Sequence, residues 1–271
     1  MKIIFSNFLS KYVYKLSPDE AYNNQQFVQP DNLIISAGVT TLLNQLSLAL
    51  FEDGDSVLIP SPCKILINFI YLSFNLFLLL LLLLLILLLL NLDYSNFVND
   101  FAYIGNVHIQ EISGYSDPIS VDFSKAHLDL AFNEAIRTGK TPKALLLTHP
   151  GNPLGNIYSK DTLQLAISWA RDKNLHIICD EIYALSIFNP YQNKFQSIVS
   201  LMNNQLGNYI HVIWGISKDF GSSGFRLGVL YTQNKLLLNV LNNIGFSFTS
   251  SNIVHVIYIY IYIYPIYIVF F

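Results

Sequence analysis

Hydrophobic and polar positions alternate along this chain in two rhythms. Short apolar runs stand at 33–36, 57–60, 107–112, 144–148, 175–180, 210–215 and 227–232. Between them lie longer stretches whose apolar residues recur every third or fourth position, from Thr40 onward, at 125–137 and at 161–173. A parallel return between strands needs a crossover long enough to hold a helix, so this pattern predicts an α/β domain: a mainly parallel sheet with helices on both faces. No helix-length stretch separates 210–215 from 227–232, which predicts a tight return around Lys218. At the amino terminus Ile4, Phe8, Leu9 and Tyr12 fall at helical spacing, while Ser6, Asn7, Ser10 and Lys11 interrupt any apolar stretch long enough for a secretion signal.

Two segments break the rhythm. Residues 65–92 are almost wholly apolar and, taken alone, are long enough to cross a bilayer as a single span. Against a span, the runs before and after it (56–60 and 106–110) both read as strands of one sheet, and a bilayer cannot divide a sheet. The genetic code offers another account. Cys63-Lys64 can be written TGT-AAG, with the GTAAG of an intron donor, and Leu92-Asp93 can be written TTA-GAT, with a TTAG acceptor. Excision keeps the frame and joins T to AT, a tyrosine codon, so that Pro62 is followed by two tyrosines, the second being Tyr94. The last residues, 256–271, form an Ile/Tyr tract that reads either as a strand or as further intron, since 256–258 can be written GTA-ATA-TAT. The expected division is therefore a partial domain at 1–63 and 94–255, an apolar insert read as retained intron at 64–93, and a read-through tail at 256–271.

Charge and cysteine content narrow the classes. The net charge of −3 comes from scattered residues with no basic stripe, which argues against a nucleic-acid surface. Of the two cysteines, Cys63 abuts the insert and Cys179 lies in an apolar run, so no disulfide framework is implied and a reducing, cytoplasmic setting fits. His149, His176, His211 and His255 lack metal-ligand spacing, and no metal is expected.

The loop after 210–215 reads Gly215-Ile216-Ser217-Lys218-Asp219-Phe220-Gly221-Ser222-Ser223-Gly224-Phe225-Arg226. A lysine closing an apolar run is expected to be partly desolvated, which favours its neutral, nucleophilic form and suits an amine that captures an aldehyde. Upstream, Asp180 closes the run 175–179, where a carboxylate can keep a cofactor's ring nitrogen protonated. Ser217 and Arg226 offer the hydroxyl and guanidinium that a phosphate wants. Together these outline a pyridoxal phosphate site. Each residue also has a plainer reading: a surface lysine, a polar loop, a capped helix start.

The phrases Asn152-Pro153-Leu154-Gly155, Cys179-Asp180-Glu181-Ile182-Tyr183 and Ser217-Lys218-Asp219-Phe220-Gly221 resemble the class I/II aminotransferases of fold type I, and within them the 1-aminocyclopropane-1-carboxylate synthase-like branch. The resemblance implies a seven-stranded-type sheet with helices on both faces and pyridoxal 5'-phosphate as cofactor. Lys218 would form the imine with it and then shuttle the alpha proton. Asp180 would pair with the ring nitrogen, and Asn152 and Tyr183 would bond the ring hydroxyl. Tyr94 would stack on the ring. Ser217, Arg226 and the backbone N–H groups of Val39 and Thr40 would hold the phosphate. The resemblance also implies an amino-acid substrate, S-adenosylmethionine for a synthase, and a homodimer. Parts of the family chain have no counterpart here, including the small domain that supplies an arginine for the substrate carboxylate. The competing readings are a truncated product that binds cofactor without turnover or does not fold, and a single-pass membrane protein. The Asn152-Pro153 bond is a candidate for a cis peptide, which an X-Pro bond allows at low cost and which would aim the Asn side chain inward.

Overall fold

The computed structural model describes residues 1–14, 28–60, 101, 105–113, 122–152, 155–187 and 195–245. Among them seven strands form one sheet: β1 Leu33–Ser36, β2 Asp55–Pro60, β3 His108–Ile112, β4 Thr141–Thr148, β5 His176–Asp180, β6 Ile210–Gly215 and β7 Gly228–Thr232. Their order is β1-β7-β6-β5-β4-β2-β3. The pairs β2–β3, β2–β4, β4–β5 and β5–β6 are parallel, and β7 runs antiparallel to both of its neighbours. The carboxyl ends of six strands therefore meet the amino end of β7 at one edge, where open α/β sheets place their sites.

Alternating side chains feed two cores. Leu145, Leu147, Ile177, Cys179, Val212 and Trp214 face one side, covered by α1 (Lys2–Phe8), α3 (Lys125–Arg137), α4 (Lys160–Asp172) and α5 (Ile198–Leu201). Leu146, Ile178, Ile213 and Leu230 face the other, covered by α2 (Val39–Leu50) through Leu42, Leu43 and Leu46, and by α7 (Lys235–Gly245) through Leu237, Leu238 and Leu241. Because both faces of β4, β5 and β6 are covered, these strands read as continuous apolar runs instead of alternating ones.

The structure departs from expectation in three places. β4 begins at Thr141 and includes Pro142; its register with β2 shifts between Ser56 and Val57, and that irregularity accommodates a residue with no N–H to donate. Between β6 and β7 the return is not tight: α6 (Ile216–Asp219) and a 3-10 turn (Ser223–Phe225) intervene, because the loop must carry Lys218 across the sheet edge. After α1 the chain widens into a π turn, Leu9–Val13, and the buried stripe is Phe5, Leu9 and Val13, with Ile4 on the surface. Among the described residues the cis peptide is His149–Pro150; Pro153 and with it the Asn152–Pro153 bond, Tyr94 and the segments 65–92 and 256–271 lie outside the described residues. Among the described residues, no helix is long and apolar enough to cross a membrane.

Candidate active site

Three glycines let three backbones meet at the carboxyl edge. Ser36 and Gly215 both stand opposite Gly228 in the ladder. A Cβ on Gly228 would lie 2.6–2.8 Å from the Gly38 carbonyl group and the Val39 nitrogen, closer than packed atoms tolerate. Gly38, at φ +95°, turns β1 into α2, and no side chain caps that helix. The N–H groups of its first turn, with Val39 and Thr40 at their head, open onto the edge with the positive end of the helix dipole. Over Gly38 lies Arg226: its Nη2 is 2.7 Å from where a Gly38 Cβ would stand and donates to the Ala37 carbonyl at 3.4 Å. Arg226 holds left-handed backbone angles, φ 49° and ψ 58°, a conformation that costs a non-glycine residue about 1 kcal/mol or more and recurs at functional sites. A guanidinium above an uncapped helix start is a place for an anion.

Next to this cradle α6 carries Ser217, half-buried, and Lys218, exposed. The desolvation expected of Lys218 is thus not found; α6 stands above the sheet edge with the lysine on its outer side. Ile216 is buried in the core of Trp214, and Asp219, three residues on, lies on the same side of the turn. Lys218, about 200° around the helix from Ile216, points away from that core. Asp219 is held from three directions: Trp214 Nε1 donates to Oδ2 at 2.8 Å, the Leu185 N–H to Oδ2 at 3.1 Å, and Ser186 Oγ to Oδ1 at 2.6 Å. Burial raises its carboxyl above the ordinary value, and these hydrogen bonds pull it back.

Asp180 ends β5, paired with Thr148 of β4 and Ile213 of β6. It shares its sheet face with Ile178 and Ile213, the face on which α2 packs. Its Oδ1 accepts from the Ile182 N–H at 3.1 Å, which starts the turn bearing Tyr183, itself packed against the same core. Glu181 goes the other way: Oε1 accepts from the Ile198 N–H at 2.8 Å, and burial pushes its carboxyl up to about 7. These two acids thus point to opposite faces, as neighbours at a strand end do, and no cluster of potential metal ligands occurs among the described residues. Asn152 is exposed in the loop after β4, which the Gly151 N–H closes on the Asn156 carbonyl at 2.8 Å. His149 is not at the surface of the site. It is fully buried, its Nε2 bonded to the Gln196 carbonyl and its Nδ1 accepting from the Tyr158 N–H, and burial lowers its pKa to about 4.

Val39, Thr40, Asn152, Asp180, Tyr183, Ser217, Lys218 and Arg226 therefore share one sheet edge; Tyr94 lies outside the described residues. No sequence signal assigns a role to Asp219, which stands inside the Ser-Lys-Asp phrase, or to Gly215 and Gly228, marked only by a glycine at each end of the loop.

Residues 79–261 match the family model described as aminotransferase class I and II. The mouse (Mus musculus) protein named "Probable inactive 1-aminocyclopropane-1-carboxylate synthase-like protein 2" is 33% identical over 81% of this chain and 33% of its own length. The squash (Cucurbita pepo) "1-aminocyclopropane-1-carboxylate synthase 1" is 26% identical over 84% of this chain and 40% of its own. Among solved structures, a "PLP-bound C-S lyase" from Staphylococcus hominis superposes with a TM-score of 0.62 at 16% identity, over 89% of this chain and 49% of its own. The chain spans about a third of the length of the first curated relatives it matches.

Proposed function

The chain belongs to the class I and II aminotransferase family, its curated relatives include the 1-aminocyclopropane-1-carboxylate synthase-like branch, and from that premise we propose that it carries the pyridoxal 5'-phosphate site of an enzyme acting on amino acids. The observation that carries this reading is the Arg226 guanidinium set over the uncapped start of α2, beside the lysine helix and on the sheet edge that Asp180 closes.

The residues fit the group. The glycine-lined cradle under Arg226 is anionic-ligand chemistry, and a buried carboxylate at a strand end suits a protonated ring nitrogen. Arg226, Ser217 and the N–H groups of Val39 and Thr40 would hold the phosphate, Asp180 the ring nitrogen, and Asn152 and Tyr183 the ring hydroxyl. When bound, the cofactor supplies an electron sink for the carbanion at the substrate's alpha carbon. Lys218 would supply the amine that holds the aldehyde, and its Nζ would be the base for the alpha proton once a substrate amine replaced it. Asp180, at the end of β5, would hold the ring nitrogen in its protonated form.

Incubating the full chain with pyridoxal phosphate, reducing with borohydride and locating the adduct by peptide mass tests this. A label concentrated on Lys218 and lost in Lys218→Ala supports the reading; uniform labelling of surface lysines sinks it. Arg226→Ala is expected to weaken cofactor binding about ten- to a hundredfold, the range for a hydrogen bond to a charged group. Gamma-elimination on S-adenosylmethionine, in the manner of a synthase, is the finer activity proposed, and aminotransfer is its alternative. A second reading, cofactor binding without turnover, is favoured by the word "inactive" in the mouse relative's name. A Lys218-labelled chain that leaves every amino acid and S-adenosylmethionine unchanged selects it.

A further inference from the structure

An isolated helix of four residues has no stability of its own, so α6 and the lysine on it are placed by whatever grips them. One grip is apolar: Ile216 is buried in the core beneath Trp214. The other is polar and reaches further. Asp219 takes hydrogen bonds from β6, through Trp214 Nε1, and from the turn after Glu181, through the Leu185 N–H and the Ser186 hydroxyl. That turn is the one that begins at Asp180 and carries Tyr183, and it is closed by the Ala184 N–H on the Glu181 carbonyl and by the Ser186 N–H on the Tyr183 carbonyl. One carboxylate therefore ties the segment holding the amine to the segment holding the two residues proposed to face the cofactor ring. Ring packing adds stiffness behind it: Phe8 and Phe220 both lie against the Trp214 indole, with centroids 5.3 and 6.1 Å away.

We propose that Asp219 is a positioning residue, a clamp that fixes the Lys218 amine relative to the Asp180–Tyr183 turn and thereby sets how fast that lysine captures an aldehyde cofactor. The proposal rests on the cofactor reading above. Asp219 itself touches neither cofactor nor substrate. Its carboxylate side faces the core, and it acts through α6. Its two oxygens take three hydrogen bonds; an amide in its place keeps one acceptor oxygen and loses the charge that strengthens those bonds.

The test compares the full chain with three variants, each incubated with saturating pyridoxal phosphate and trapped with borohydride over time, with the adduct read at every lysine by peptide mass. Asp219→Asn is expected to slow labelling of Lys218 by about an order of magnitude, the effect of a small misplacement of a reacting group, with the slow labelling of other lysines unchanged. Ser186→Ala removes one donor at a half-buried position and is expected to give a smaller slowing in the same direction. Asp129→Asn is the matched control: Asp129 also accepts from an indole, Trp169 Nε1 at 2.9 Å, but on the α3–α4 surface away from the site, and it is expected to leave Lys218 labelling unchanged. Trp214 fluorescence, followed in a Trp169→Phe background, reports the broken indole bond and the integrity of the fold. If Asp219→Asn fails to fold, Ser186→Ala decides. Lys218 labelling equal to wild type in a folded Asp219→Asn chain, or in Ser186→Ala where that variant decides, overturns the clamp and leaves the cofactor reading standing. Absence of selective Lys218 labelling in the wild-type chain overturns the cofactor reading, and the clamp with it.

Discussion

Glu181 and the buried histidines give this chain opposed responses to pH. Burial pushes the Glu181 carboxyl from an ordinary 4.5 to about 7. Between those values the folded chain holds a proton that the unfolded chain has released, so stability falls as pH rises through the window, and the cost is complete above it. Glu181→Gln cannot ionise. Denaturant unfolding at stepped pH is expected to show the variant gaining on wild type from pH 4.5 to 7, by on the order of 3 kcal/mol at the top of the range; a constant difference would refute the assignment. His149 and His211 act in the other direction. Burial lowers them to about 4 and about 3, so the unfolded chain takes up protons first as pH falls below 6.5, and the stability they contribute above that value is lost toward 4. Glycine matters at Gly38, where an added Cβ meets the end of a flexible arginine and the backbone is left-handed. Gly38→Ala is expected to cost about 1–2 kcal/mol of stability and, by displacing the guanidinium, to weaken binding of inorganic phosphate as read by calorimetry.

Elements place the site by packing. α2 buries Leu42, Leu43 and Leu46 against β1, β6 and β7, and its start is held to the sheet edge by that stripe. Leu46→Ala is expected to cost about 2–5 kcal/mol and to weaken phosphate binding without touching the ligand, because the helix start moves with its core. Helix ends away from the site behave as local devices. Ser159 accepts from the Thr162 N–H at the start of α4, and Ser159→Ala is expected to cost about 1 kcal/mol with no change in cofactor affinity. Most strands were legible from their apolar runs because β4, β5 and β6 are covered on both faces. α6 was not, since a four-residue helix leaves no periodicity to read; the burial of Ile216 and the hydrogen bonds on Asp219 hold it. The stripe of the first helix was misplaced by one position: Phe5, Leu9 and Val13 recur every fourth residue, a spacing that the π turn at Leu9–Val13 continues and that no sequence period announces.

For the whole molecule, β2 and β3, on either side of the apolar segment, pair in parallel as neighbours in one sheet. Deleting 64–93 is therefore expected to leave the fold and selective Lys218 labelling intact, checked by circular dichroism and the borohydride assay; loss of both would give that segment a structural role. Transcript sequencing across the same codons tests the intron reading directly. Covalent order alone determined the succession of strands, the residue types an aldehyde cofactor needs, and the spacing that sets Asp180 and Lys218 at strand ends, because chemistry and period are local properties. The three-dimensional fold decided which ends meet. β7 runs against its neighbours and brings Arg226 back over Gly38, 188 positions away in the chain. Asp219 reaches across to the Tyr183 turn. These are contacts between segments far apart in sequence, fixed by burial and backbone approach, and no local pattern encodes them.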